Sequence, residues 1–304
     1  MRVPNVTTKI VSMVLSVALL VAFLPSSGVA QDPQDQGGPP PSFPPDQLDR
    51  LVSRVALYPD PLLAQVLAAA TFPDQIQDAA KWADEHHYLT GDQLATAISE
   101  DHLPWDPSVQ AMLPFPSVLD SMASDMNWTS DLGNAFLAQR QDVMDAVQRM
   151  RQKAKDFGYL RSNGQVVVSG GPYIEIEPVN AAYIPVPYYD PLVVYAAPRP
   201  GFFVGGAIGF GFGVTIGGFF RPWGWGYSRF DWRAHGFFID NRPWGRTWVN
   251  RRVYVHPYAT AGVRRWDGPR RVEGHELVRR SDHERELART GHPHAEEHER
   301  PHRP

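Results

Sequence analysis

Apolar residues recur at helical spacing from Leu48 onward. Leu48, Leu51, Val52, Val55 and Ala56 fall on one stripe, the pattern of an amphipathic helix buried on one side. Pro59 ends that helix at Tyr58, because the residue before a proline avoids helical geometry. Asp60 then predicts the cap of a second helix, Pro61 to about Ala70, since a carboxylate accepts from first-turn amides and proline suits the first helical position. Its Leu/Ala-rich faces predict a central place in the fold. Pro73 opens a third helix that runs through Trp82 to about Glu85, and Thr90 caps a fourth with Leu94, Ala97 and Ile98 inward. Asp106-Pro107 repeats the cap-and-proline device, and Phe115-Pro116 begins a further short helix. Thr129 predicts the cap of the longest helix, Ser130 to Phe157, with Leu132, Phe136, Val143, Val147 and Met150 inward and Gly158 as its stop. Arg140, Arg149, Arg151, Lys153 and Lys155 crowd its later half, where cations suit the helix dipole.

Beyond Gly158 the period changes to two. Val166–Val168, Tyr173–Ile176, Ala182–Val186 and Leu192–Tyr195 read as short strands separated by Gly-Gly-Pro and Val-Asn turns. The expected fold class is therefore α+β: an all-helical N-terminal unit, a small antiparallel sheet, a Gly/aromatic-rich segment and a disordered tail. The boundaries expected are a leader rich in Pro and Gln at 31–45, the helical unit plus sheet at 46–198, an apolar glycine segment at 199–225, a Trp/Arg-rich region at 226–266 and a charged His/Arg-rich tail at 267–304.

The glycine segment admits two readings. Phe202 to Phe220 carries no charge, and Gly205, Gly209, Gly213 and Gly217 fall at i, i+4 spacing, a flat face for close helix packing in lipid. Trp223 and Trp225 follow where an interfacial aromatic belt would lie. The same stretch alternates Phe210, Phe212, Val214 and Ile216 with glycines and Thr215, which is a strand pattern. Gly205, Gly209, Gly213, Gly217, Trp223 and Trp225 are accordingly the candidate membrane or partner contacts.

Composition bears on compartment. Arg2 and Lys9 precede an uncharged run from Ile10 to Leu24, and Gly28-Val29-Ala30 places small residues before Gln31; residues 1–30 thus read as a cleavable secretory signal peptide. The chain holds no cysteine, which excludes a lipoprotein anchor, disulfides, thiolate metal sites and thiol nucleophiles. From Arg221 to Pro304 there are 17 arginines and 11 acids, while the part before it is net acidic; such a split suggests different partners for body and tail.

Four phrases carry a resemblance. Leu57-Tyr58-Pro59-Asp60-Pro61-Leu62-Leu63, Pro104-Trp105-Asp106-Pro107-Ser108-Val109, the run from Ala135 to Arg149, and Tyr188-Tyr189-Asp190-Pro191-Leu192-Val193-Val194-Tyr195 resemble the DUF3300 family, bacterial exported proteins of unknown function. The resemblance covers about Leu48 to Ala196. It implies an envelope location and brings no catalytic residue with it.

Chemistry-bearing motifs are sparse. Glu85, His86, His87 and His102 are the one polar cluster with metal-ligand character in the helical unit, but adjacent histidines on a helix point to different faces. Asp60, Asp106 and Asp190 each precede a proline and read first as caps; gathered in one cleft they would suit acid–base work on polysaccharide. Ser53, Ser99 and Ser108 lie in no nucleophile-elbow context. His235, His256, His275, His283, His292, His294, His298 and His302 stand in the C-terminal third, and the last four suggest loose metal handling. The favoured reading is a non-enzymatic protein that binds or scaffolds at an envelope or membrane surface, with no cofactor, no metal site and no nucleic-acid partner expected. The alternatives are an enzyme acting on cell-wall or polysaccharide material, and metal handling by the tail.

Overall fold

The computed structural model describes residues 38–198, 201, 205–211, 213–254 and 256. The signal-peptide reading, most of the Pro-rich leader and the tail beyond 256 lie outside these residues. The described residues from 41 onward make up one compact unit that is α+β, as the hydrophobic pattern predicts.

The helical part opens with α1 (Pro45–Val52), whose Leu48, Leu51 and Val52 are buried. The expected continuation to Tyr58 does not occur. Residues 53–57 are turns, and the carbonyls there serve distant side chains. Ser53 O accepts from the Tyr189 and Tyr195 hydroxyls at 2.9 and 3.0 Å, and Ala56 O accepts from Arg151 Nε at 2.8 Å. Long-range donors thus replace the helical ladder.

α2 (Asp60–Ala70) is buried at every position but Pro61, the central helix its composition predicts. α3 (Pro73–Glu85), α4 (Gly91–Glu100), α5 (Pro107–Gln110) and α6 (Pro116–Ser124) follow, and four of these first five helices after α1 begin on or beside a proline. The predicted longest helix is two: α7 (Met126–Ala138) and α8 (Arg140–Asp156). Asp125, not Thr129, caps α7 by accepting from Trp128 N at 3.1 Å. Thr129 lies inside the helix, its hydroxyl donating to Met122 O at 2.7 Å. The break falls at Gln139 (φ −136°, ψ 47°), whose amide accepts from Phe43 N at 2.7 Å and donates to Phe43 O at 3.2 Å. That clamp on the leading segment overrides glutamine's helix propensity. The expected inward stripe, Leu132 through Met150, is buried throughout. Gly158, at φ +76°, closes α8 as predicted.

α2 and α7 cross closely at Gly133. A Cβ there would stand 1.9 Å from Ala70 O and 2.5 Å from Ala70 C, which is main chain and cannot rotate away. Gly133→Ala is expected to destabilise by about 3 kcal/mol or more, the upper end of overpacking costs, read as a lowered urea midpoint with an unchanged slope. A midpoint equal to the parent's would show that the two helices can part at little cost.

After α8 the strands pair antiparallel in small ladders. β1 (Val166–Val168) pairs β2 (Ile176–Pro178), β3 (Tyr183–Ile184) pairs β6 (Val214–Thr215), and β4 (Pro187–Tyr189) pairs β5 (Ile208–Phe210). β7 (Arg229–Asp231), β8 (Gly236–Ile239) and β9 (Arg242–Pro243) form a three-stranded sheet. The expected strand Leu192–Tyr195 is instead the short helix α9 (Pro191–Val194), because Asp190 accepts from Leu192 N at 2.8 Å and Pro191 supplies the first turn.

The glycine segment follows the strand reading, not the helical one. Gly209 lies under the Tyr188 ring and Gly213 under the Tyr183 ring, each too close to admit a Cβ. A bare backbone under an aromatic ring explains these two glycines without a helix face. No helix among the described residues is long and apolar enough to cross a membrane.

The apolar core does not stop at residue 198. Leu48 and Trp244 belong to one continuous cluster that includes Trp223, Trp225, Trp232 and Phe237.

Candidate functional site

The C-terminal aromatic region closes over the helices through indole hydrogen bonds. A 3₁₀ turn (Arg221–Trp223) brings Trp223 to α5, where its Nε1 donates to Gln110 Oε1 at 2.9 Å. Trp225 Nε1 donates to Ala111 O at 2.9 Å. Both rings are buried, 3% and 1% exposed, so their side chains face the interior. A buried indole needs a partner for its N–H, and the last residue of α5 and the one after it provide two.

At the other end of α2 sits a buried ion pair. Arg151, on α8, is fully enclosed and meets Asp60 Oδ1 at 2.7 Å. Its guanidinium also donates to the carbonyls of Ala56, Tyr58 and Ile174 at 2.8, 3.1 and 2.8 Å. Trp232 completes the group: its Nε1 donates to Asp60 Oδ2 at 2.8 Å, and its ring lies beneath the guanidinium at 4.9 Å. Asp60 therefore does not cap α2, which has no side-chain cap bond. Arg151, read from sequence as one of a run of helix-end cations, is the hub of the fold. Nearby phenols are locked in their protonated form: burial pushes Tyr58 up to about 12 and raises Tyr189 well above its ordinary value.

Asp106 caps α5 as expected, accepting from Ser108 N at 2.9 Å. The same Oδ1 accepts from the Ser108 hydroxyl at 2.6 Å and lies 2.6 Å from His256 Nε2. Serine and histidine thus both address the one carboxylate oxygen. Arg246, beside this group, donates to Thr71 O and Oγ1 at 3.0 and 3.1 Å. Burial lowers its pKa to about 10, which keeps it cationic at neutral pH. Asp60 and Asp106 have no hydrogen-bond partner in common, and Asp190 caps α9 at the surface. The three carboxylates are dispersed.

Two concavities among the described residues bear on the site. The smaller, about 300 Å³, lies between Leu57, Leu160, Val166 and the loop holding Gly205 and Gly206. The larger, about 510 Å³, is walled by the end of α3, the start of α4, the start of α6, and β6. His86, His87, Thr90, Ser117 and Thr215 contribute its polar lining, and Leu94, Phe115 and Phe220 its apolar one. His86 Nδ1 lies 2.8 Å from Trp82 O and His87 Nδ1 2.6 Å from Asp84 O. A carbonyl oxygen only accepts, so each Nδ1 carries a proton, and a ring in its neutral form then presents Nε2 as an acceptor. Glu85 pairs with Lys81 at 3.9 Å, and His102 is not among the residues lining this cleft and sits in a turn at φ +47°. No group of three or more His, Cys, Asp or Glu among the described residues is arranged to hold a metal. His235 pairs with Asp145 at 2.8 Å; His275, His283, His292, His294, His298 and His302 lie outside the described residues.

The predicted contact residues are not gathered on one face. Gly205 lines the smaller concavity and Gly213 the larger, Gly209 is covered by Tyr188, Gly217 forms a turn at φ +42°, and the two tryptophans are interior. The larger cleft went unseen in the sequence because its walls come from four separate elements, and only the His86-His87 pair marked it.

Comparison with known proteins agrees with the phrases noted above. The chain is 36% identical over 182 residues to "Uncharacterized protein YacH" of Escherichia coli (strain K12), a match that takes in 49% of this chain and 29% of that protein. The chain thus spans under a third of that relative's length. No solved structure matches it. Residues 44–267 match the family described as "Protein of unknown function (DUF3300)", a span running from the first turn of α1 past the last described residue, and the chain belongs to that family.

Proposed function

We propose that this chain is an exported protein of the cell envelope that works by binding, not by catalysis. One observation carries the non-catalytic part: both buried carboxylates are committed to the fold. Asp60 is held by Arg151 and Trp232, and Asp106 by Ser108 and His256. An acid–base pair needs a carboxyl within reach of substrate and free to exchange its proton. Neither has that freedom. Support for export comes from the Arg2–Ala30 leader, a charged start, an uncharged apolar run and small residues before Gln31.

Two measurements test the reading. Residues 1–45 fused to an alkaline phosphatase that folds only outside the cytoplasm are expected to give active enzyme; an inactive, intact fusion retained in the cytoplasm would refute export. The chain isolated from its native cells is expected to co-sediment saturably with envelope material while releasing no soluble sugar. Release growing linearly with time and protein amount would make it an enzyme.

A further inference from the structure

We infer that the larger cleft, between α3, α4, α6 and β6, is a binding site for a neutral glycan chain. The inference rests on the reading of the protein as a binder and names what the binder holds. The cleft's volume of about 510 Å³ falls within the range of small-ligand sites, about 300–1,000 Å³. Three features of its wall select the ligand.

The first is charge. Among the described residues, no Lys, Arg, Asp or Glu lines the cleft. An ionic ligand would lose hydration with no opposite charge to meet it, which is costly. The second is hydrogen bonding. Thr90, Ser117 and Thr215 offer hydroxyls, and His86 and His87 offer Nε2 acceptors fixed by their Nδ1 contacts. A purely aliphatic ligand would cover these groups without pairing them. A neutral sugar hydroxyl both donates and accepts, and so satisfies either kind. The third is the rim. Tyr88 is 69% exposed and Phe219 49%. Tyr88 packs on His86 and His87 with ring centroids 6.3 and 6.0 Å apart, and the Phe219 ring reaches Gly91, a lining residue. His86 itself lies flat on Trp82 at 3.9 Å, which holds its ring in place. Two exposed aromatic rings beside a neutral, hydroxyl-lined cleft suit the apolar C–H faces of pyranose rings, while the cleft takes their hydroxyls. An unbranched chain can lie across the rim with one part inside.

Calorimetric titration of the chain isolated from its native cells tests this with defined probes: N-acetylglucosamine tetramer and cellotetraose as neutral glycans, tetragalacturonate as an anionic glycan of similar length, and a leucine-rich peptide as an apolar control. At least one neutral oligosaccharide is expected to bind saturably. Tyr88→Ala and Phe219→Ala are each expected to weaken it about tenfold, the size of one lost stacking contact. Both side chains are exposed, so the fold should survive, as their unfolding midpoints would confirm. Leu192→Ala, at a side chain 85% exposed and outside the cleft lining, is expected to leave affinity unchanged. Binding of neither neutral probe, equal affinity in parent and rim variants, or a preference for tetragalacturonate or the peptide would each overturn the assignment. The titration needs neither export nor intact envelope. If it fails while envelope co-sedimentation persists, the binder reading stands and the contact lies on another surface.

Discussion

Exchanging Arg151 for methionine is expected to destabilise the fold by about 3–5 kcal/mol, the range for a buried pair that loses one partner. The parent's whole stability should be on the order of 5–15 kcal/mol, so the variant should lose much of its cooperative unfolding transition. The size follows from what remains. Without the guanidinium, Asp60 stays enclosed with only Trp232 Nε1 at 2.8 Å and Ile176 N at 3.4 Å to answer its charge. The carbonyls of Ala56 and Tyr58 lose their Arg151 donors as well. Methionine roughly fills the volume and isolates the electrostatic loss. Urea denaturation followed by tryptophan fluorescence is the measurement, and a change below about 1 kcal/mol would show that water reaches the site. The double variant Asp60→Asn/Arg151→Met is expected to cost less than the sum of its parts, because the two residues share one network. Arg151→Lys should not rescue the fold, since one ammonium cannot span an acid and three carbonyls in fixed directions.

Ending the chain after Pro198 is expected to abolish folding of the helical part. Ile216, Phe220, Trp223, Trp225, Phe230, Trp232, Phe237, Ile239 and Trp244 lie beyond that point and are all buried in the common core. They cover faces that would otherwise meet water, with Phe115 tilted against Trp225 at 4.9 Å and Phe136 edge-on to Phe237 at 5.2 Å. At about 1.5–3 kcal/mol for each of these nine side chains, the loss is about 14–27 kcal/mol, at or above the roughly 5–15 kcal/mol of a whole domain. Residues 41–198 should show no cooperative melt and rapid proteolysis, whereas residues 41–256 should melt cooperatively. A sharp transition in the shorter fragment would mean that the aromatic region is an accessory to a self-sufficient helical domain.

These two residue sets also show where sequence reasoning succeeds and where it stops. Helix starts are written locally: proline fixes φ and tolerates the missing donor, so Pro73, Pro107 and Pro116 mark real first turns. The inward stripe of α7 and α8 is likewise a local periodicity. Asp60 and Arg151 defeat the same logic. Each has a plausible neighbourly role, cap or helix-end cation, and the structure gives both a different one, set by their pairing with each other across 91 positions. Asp190-Pro191 errs in the other direction, since the device that predicted α5 also starts α9, yet the β-branched run after it reads as strand. The glycine segment carried two periods at once, and only the tyrosines of β3 and β4, lying over Gly213 and Gly209, decide between them. As for the cleft, adjacency of His86 and His87 was the single legible trace. Its other walls meet only in three dimensions.

The bond from Trp232 to Asp60 joins residues 172 apart in sequence. A chain made from its N-terminus reaches Asp60 early and must wait for its distant partner. Until Trp232 arrives, α2 has neither its aromatic cover nor a complete set of hydrogen bonds for its first carboxylate. Closing so long a loop is entropically slow, so the early helices stay uncommitted while most of the chain is still being produced. Under the export proposed above, in which the chain would be threaded through a narrow channel before it folds, a clasp that closes late is an advantage in timing.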